Sequence, residues 1–288
     1  LMQEIIEILK ETIIDSIKLL PFLFITYLIM EYIEHKTSNK VRDFIEKSGK
    51  FGPVIGGIVG IFPQCGFSVS ATNLYAARVI TLGTLISVYL TTSDEMLPIL
   101  LTKNINISVI LTILGIKLVI GILAGVLIDF VFNKIGKKED KNEHIEELCE
   151  HEHCHCEESI VKSALKHSLN ILIYIFIITL IINGIISIIG EETIANFISQ
   201  NTILGPIVAG IIGLIPNCAS SVILTELFIE NVINMPVLIS GVAVNAGVGI
   251  LVLFKTNKNL KENIKIVSLL YIIGVLSGII LEFIIWNY

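Results

Sequence analysis

Charge is what this chain has least of. Only 16% of its 288 residues are Asp, Glu, Lys or Arg, against roughly 25% in soluble globular domains. No basic patch of the kind that grips nucleic acid is present, so nucleic acid is not an expected partner. No nucleotide-binding motif is present either, so any driving force is expected to be an ion gradient, protons first. The five cysteines do not form the spaced framework of a secreted disulfide domain. The first apolar block lacks a small-residue cleavage site and is long enough to cross a bilayer. It is read as a span, not as a removed signal peptide.

Apolar residues fill the space that charge leaves. They make up 53% of the chain, with a mean hydropathy of +0.83. Several blocks exceed the roughly 20 residues that cross a bilayer. This is the composition of an all-α polytopic membrane protein. The net charge of −6 says little, because much of the acidity sits in one linker.

The chain is also a duplication. Gly52 to Leu100 returns as Gly205 to Leu253, 153 residues later and without a gap. Gly52, Pro53, Gly57, Gly60, Pro63, Cys65, Ser68, Thr72, Leu74 and Leu85-Ile86-Ser87 all recur, and about a third of the positions are identical. Glu11 to Ile33 is the first span and Lys162 to Ile189 its mate. Short amphipathic pieces follow each, at Val41 to Lys47 and Thr193 to Gln200, suited to the interface. A last span, Ile107 to Phe132, is matched by Ile264 to Ile285. These carry Gly121-x-x-x-Gly125 and Gly274-x-x-x-Gly278, small residues spaced so that helix backbones can approach closely in lipid. The division expected is a first transmembrane repeat over 1–133, a His/Cys-rich linker over 134–160 and a second repeat over 161–288.

Gly52 to Ala77 could cross once, or form a re-entrant hairpin with its tip at mid-membrane. Loop charge favours the hairpin. Positive residues crowd Lys36 to Lys50, Lys134 to Lys166 and Lys255 to Lys265, whereas Gly190 to Leu204 and Glu226 to Pro236 have none. Basic loops stay cytoplasmic. Two hairpin arms and three full crossings per repeat place all three basic regions inside. The odd count makes the two repeats inverted in topology, a construction common among secondary transporters.

Polar residues interrupt each repeat twice. Proline breaks the first interruption, and broken helices survive in lipid only when buried in protein or lining a wet cavity. Gln64, Cys65 and Ser68 in one half, with Asn217, Cys218 and Ser221 in the other, would offer sulfur, amide and hydroxyl ligands to a cation. The alternative is a pair of proline kinks with cysteine as a small packing residue. The second interruption is asymmetric: Thr91-Thr92-Ser93-Asp94-Glu95 aligns with Val244-Asn245-Ala246-Gly247-Val248. Ser93, Asp94, Glu95 and Asn245 are the candidate ligands, the carboxylates serving as metal ligands or proton carriers. Lys117, near mid-depth of its span, would neutralise Asp94 or Glu95 when the site is empty, or else snorkel outward.

The linker segment EHIEELCEHEHCHCEE holds His144, Cys149, His151, His153, Cys154, His155 and Cys156. Imidazole and thiolate suit zinc, nickel, cobalt or copper, and the spacing matches no folded zinc module. A flexible chelating loop that delivers, senses or buffers metal is expected. His35 and His167 are assigned no role.

The paired blocks FPQCGFSVSATNLYAARVITLGTLISVYLTTSDEMLPIL and IPNCASSVILTELFIENVINMPVLISGVAVNAGVGILVLF resemble the ten-span heavy-metal exporter family, whose members are labelled arsenic efflux proteins or manganese transporters. The resemblance covers both halves. It implies export of a metal or metalloid ion, with a central His-rich loop as found here.

The reading is therefore a non-enzymatic secondary transporter in the plasma membrane, with its linker in the cytoplasm. It would export a divalent transition metal such as manganese or zinc, or arsenite, through a site at the repeat interface. No cofactor is required: a transition-metal ion is substrate or linker ligand. The partners are the lipid bilayer and that ion, with room for a homodimer. The rivals are a carrier of a small organic or anionic solute with a metal-sensing linker, an intramembrane enzyme using Cys65, and a metal-sensing receptor.

Overall fold

The computed structural model describes positions within 9–28, together with 51–135, 160–189 and 204–286, apart from Gln64, Cys65 and Asp94. Every regular element among the described residues is a helix. The helices are α1 (Gly52–Gly60), α2 (Gly66–Ala76), α3 (Leu82–Thr91), α4 (Met96–Thr102), α5 (Ile107–Ile135), α6 (Ile160–Ile189), α7 (Gly205–Gly213), α8 (Cys218–Ile229), α9 (Met235–Val244), α10 (Gly249–Thr256) and α11 (Leu260–Trp286). An N-terminal helical segment lies within 9–28. Helices α1, α3, α4 and α5 begin 153 residues before α7, α9, α10 and α11 respectively. The two amphipathic pieces and, of the expected linker, residues 136–159 fall outside the described residues, while 134–135 end α5 and Ile160 opens α6.

Among the described residues, four segments are long and apolar enough to cross a membrane: Ile107–Val131, Ala164–Ile181, Met235–Thr256 and Leu260–Ile284. The third is 94% buried inside the protein, against 28% for the first and last. That difference explains which helices are broken. Met235–Thr256 contains the interruption at 245–248 and can afford it, because protein rather than lipid surrounds its freed backbone groups. Helices α5 and α11 stay continuous and turn large side chains outward, among them Leu123, Leu127, Phe130, Ile272, Leu276 and Ile280.

Direction follows from side-chain neighbours. Along α5, Asp129 meets Thr81 and Gly83, Gly121 lies against Ser87 and Thr91, and Lys117 reaches Thr92. The numbers fall on one helix as they rise on the other, so α5 runs antiparallel to α3. Gly52 abuts Thr84 and Gly60 abuts Thr91, so α1 runs parallel to α3. Thr72 on α2 meets Tyr89, and the turn at 77–81 then leads straight into α3, so α2 runs back. Helices α1 and α2 therefore form a hairpin whose described tip residues, 61–63, lie level with the end of α3. The second repeat does the same: Gly205 meets Val237, Gly213 meets Gly241 and Val244, and Asn245 meets Ser220.

The glycines of the last spans make these approaches possible. A Cβ on Gly125 would stand 2.5 Å from the Gly83 carbonyl and 2.8 Å from Pro53 Cβ. One on Gly278 would stand 2.6 Å from Ser240 Cβ and 2.8 Å from the Pro236 carbonyl. Matching hydrogen bonds close the hairpins onto the broken helices. Ser87 Oγ donates to Pro53 O at 2.6 Å, and Ser240 Oγ donates to Pro206 O at 2.6 Å.

The apolar core joins the halves. One buried cluster sets Met96, Leu100, Ile110 and Ile113 against Ile223, Leu224 and Leu227. A second sets Tyr75, Leu85 and Tyr89 against Ile250, Leu253 and Leu270. Helix α4 thus packs on α8, and α10 on α2, each across the duplication.

Three spans differ in length from their sequence reading, α6 by starting at Ile160 rather than Lys162. Helix α11 starts at Leu260 rather than Ile264, because Asn259 Oδ1 accepts from Glu262 N at 3.3 Å and opens the helix one turn earlier. Helix α5 continues from Phe132 to Ile135.

Candidate functional site

The interruptions and hairpin tips meet at one level of the fold. Helix α3 ends at Thr91, with Thr92 extended at φ −50°, ψ 128°. The hydroxyls of Thr91 and Thr92 bond back to Ser87 O (2.9 Å) and Val88 O (2.7 Å), and Ser93 Oγ donates to Thr91 O at 3.0 Å. All three residues are buried. Glu95 stands half-buried just before α4, and Asp94 lies outside the described residues.

In the other half α9 ends at Val244, with Asn245 extended at φ −75°, ψ 99°. Asn245 holds this break together. Its Nδ2 donates to Ser220 Oγ at 2.9 Å, and its Oδ1 accepts from Gly247 N at 2.7 Å. Gly247 has φ 54°, a left-handed backbone that glycine adopts without steric cost.

The hairpin tip of the second repeat adjoins this break. Asn217 caps α8, its Oδ1 accepting from Ala219 N at 3.1 Å. Cys218 is the first residue of α8, buried, and its sulfur is in no disulfide. Ser220 and Ser221 hydroxyls donate to Asn217 O (2.9 Å) and Cys218 O (2.8 Å). The amide oxygens of Asn217 and Asn245 thus each already hold a backbone N–H, a use that sequence alone did not reveal. The matching tip holds Pro63 at its exposed edge, while Gln64 and Cys65 lie outside the described residues.

Lys117 connects the two halves. Its side chain is 0% exposed, which rules out the snorkelling alternative. Nζ donates to the Thr92 carbonyl, at the end of α3, and to the Val242 carbonyl in the last turn of α9, at 3.0 Å. Both are ends where carbonyls lack intrahelical partners and carry partial negative charge.

A second link across the halves was not legible in the sequence. Thr72 Oγ1 lies 2.6 Å from Tyr89 Oη and 3.2 Å from the Gly249 carbonyl, and Tyr89 Oη lies 3.3 Å from the same carbonyl. Ser68, one turn earlier on α2, supports this link: its carbonyl accepts from Thr72 at 2.7 Å, and Gly249 packs against it. A tyrosine inside an apolar run, with Val242 as its repeat mate, was the available signal.

The structure therefore brings Ser93, Glu95, Lys117, Asn217, Cys218, Ser221 and Asn245 to the interrupted level, with Ser68 beside Gly249. Among the described residues no three His, Cys, Asp or Glu side chains form a metal-binding group. The linker positions His144, Cys149, His151, His153, Cys154, His155 and Cys156 lie outside the described residues. What the described arrangement offers is hydroxyls, carbonyls, two side-chain amides, one carboxylate, one thiol and one ammonium.

A family model described as "Putative, 10TM heavy-metal exporter" matches residues 4–192. No curated protein and no solved structure matches the chain.

Proposed function

The chain belongs to the family of ten-span heavy-metal exporters, and from that premise we propose that it exports a metal or metalloid ion through a site at the interface of its two repeats. It is a multi-pass membrane protein. The observation that carries the proposal is Lys117, whose ammonium joins the broken end of α3 to the last turn of α9. Unwound carbonyls and half-helix ends near mid-membrane are how many secondary transporters hold ions.

Topology supports the same reading. Residues 51 and 81 lie at one end of α3, which supports the reading of α1 and α2 as re-entrant arms that leave and return on one side. The basic turn at Arg78 shares an end with the basic start of α11, through Arg78–Glu262. Inverted repeats with cytoplasmic basic loops satisfy both contacts, and counting hairpin arms as spans brings the total to ten.

The ligands proposed are Gln64, Cys65, Ser68, Asn217, Cys218, Ser221, Ser93, Asp94, Glu95 and Asn245. Two sulfurs would favour arsenite, zinc or cadmium, whereas the carboxylates with amide and carbonyl oxygens favour manganese. A divalent metal, manganese included, is the cargo we favour. The linker histidines and cysteines would collect or sense that metal on the cytoplasmic side.

A second reading, a carrier of an anionic solute, draws on Lys117 and on the half-helix N-termini of α2, α4, α8 and α10, all of which begin at the interrupted level.

Flux in proteoliposomes separates the readings. Manganese, zinc, cadmium and arsenite are compared for the intact protein, a Cys65→Ala/Cys218→Ala variant and a deletion of Glu143 to Glu158. Flux lost in the cysteine variant and kept in the deletion supports the interface site. Flux lost only in the deletion moves the essential chemistry to the linker. No flux of any metal overturns metal export in favour of the anionic solute.

A further inference from the structure

Lys117 is a cation held by backbone carbonyls, in a place where transporters of broken-helix construction bind alkali ions. The Thr92 carbonyl closes α3 and the Val242 carbonyl belongs to the last turn of α9, one from each half of the duplication. Each end concentrates partial negative charge, and neither faces water, since Thr92, Val242 and Lys117 are all buried. Burying a charge in such a place is unfavourable unless groups of opposite polarity offset it. The two carbonyls are therefore part of what offsets the charge of the ammonium.

The duplication shows that this is a choice at one position. The repeat mate of Lys117 is Leu270, and the mates of Thr92 and Val242 are Asn245 and Tyr89. Leu270 is fully buried in the apolar cluster that contains Tyr89. One half seats a cation and the other seats a hydrocarbon. In the first repeat, Thr91 and Thr92 donate their hydroxyls back along α3 to Ser87 O and Val88 O, while the Thr92 carbonyl accepts from Lys117.

We infer that Lys117 is a tethered replacement for a coupling alkali cation: its ammonium fills the carbonyl seat shared by the two repeats, so that the protein neither binds nor requires sodium or potassium there. A lysine ammonium is a compact, strongly hydrated point charge with three donors on a flexible stem, and it suits carbonyl ligands arriving from two helices. The inference concerns the same interface as the transport reading and draws on that reading only for the word coupling. The specificity it assigns is negative: at this seat an alkali ion is neither bound nor needed, whatever the cargo.

The test measures unfolding midpoints of the purified protein in choline, sodium, potassium and ammonium chloride at equal ionic strength. Wild type is expected to melt at the same temperature in all four. Lys117→Ala is expected to fall by about 5 °C or more in choline, and to regain at least half of that loss in ammonium, potassium or sodium. Lys117→Met, which keeps bulk and loses charge, is expected to melt below wild type in choline.

Three results overturn the inference: a wild type that gains stability from sodium or potassium over choline, a Lys117→Ala protein that no cation rescues (failure to fold in every salt included), or a Lys117→Met protein as stable as wild type in choline. Flux is read in parallel, and replacing sodium by choline is expected to leave wild-type metal flux unchanged. Absence of metal flux would defeat the export reading while the melting results still decide the cation seat.

Discussion

Arg78 holds Glu262 with both ends of its guanidinium, at 2.7 Å and 3.0 Å, across 184 residues of sequence. Tyr75 donates to the same carboxylate and lies under the guanidinium, 5.4 Å from ring centroid to charge. Arg78 sits at φ 59°, a left-handed conformation uncommon for a long side chain, and its repeat mate Asn231 sits at φ 58°. The turn geometry is shared by both halves, but the ion pair is not, since the mate of Glu262 is Val109.

The pair is only 18% exposed on each side, and its geometry is bidentate, so its loss is expected to register. Arg78→Ala should cost about 2 kcal/mol, and Glu262→Gln somewhat less because it keeps one acceptor. An Arg78→Glu/Glu262→Arg exchange should recover part of the loss. Equal midpoints for wild type and Arg78→Ala in thermal unfolding would show that the contact holds nothing.

The close approaches of α5 to α3 and of α11 to α9 give a sharper contrast. Gly125→Leu and Gly278→Leu should each prevent folding, because a side chain there meets backbone and proline ring. Gly115 has no atom within 4 Å of a Cβ position. Gly115→Ala should be neutral or slightly stabilising, as expected of an open helical position. Expression and monodispersity of the three variants in detergent check this directly.

Ser87 and Ser240 offer a test of equivalence between the halves. Each is fully buried and each donates at 2.6 Å to the carbonyl of a proline in the first turn of a hairpin. Ser87→Ala and Ser240→Ala should cost similar amounts, about 1 kcal/mol each. Their effects should add in the double variant, since the two bonds share no partner. Unequal losses in chemical unfolding would mean that the halves carry load differently despite their matching geometry.

Sequence reading found the interruptions because they break an apolar period with residues that lipid does not tolerate. Pro63, Pro216 and the Thr91 to Glu95 run are conspicuous for that reason, and the 153-residue register identified their mates. It could not find the two carbonyls that hold Lys117, because every residue carries one. The same limit hid the pairing of α2 with α10 and of α4 with α8. A register says which positions correspond, not which positions touch. Asn217 and Asn245 looked like free amide ligands, and each proved to serve the backbone first, as short polar side chains at helix ends commonly do.

The last prediction follows from a contact of that hidden kind. Thr72, Tyr89 and the Gly249 carbonyl tie α2 and α3 of the first repeat to the opening residue of α10 in the second. Removing one hydroxyl leaves the other within reach of the same carbonyl. Tyr89→Phe should therefore cost about 1 kcal/mol, and Thr72→Val rather more, since Thr72 also serves Ser68 O. The double variant should cost less than the sum if the hydroxyls bond each other, because the second removal breaks a contact already lost. Strict additivity in urea or thermal unfolding would instead mean that each hydroxyl bonds the carbonyl independently. The carbonyl itself belongs to the first turn after the break at 245–248, so this coupling reports how firmly the second interruption is held by the first repeat.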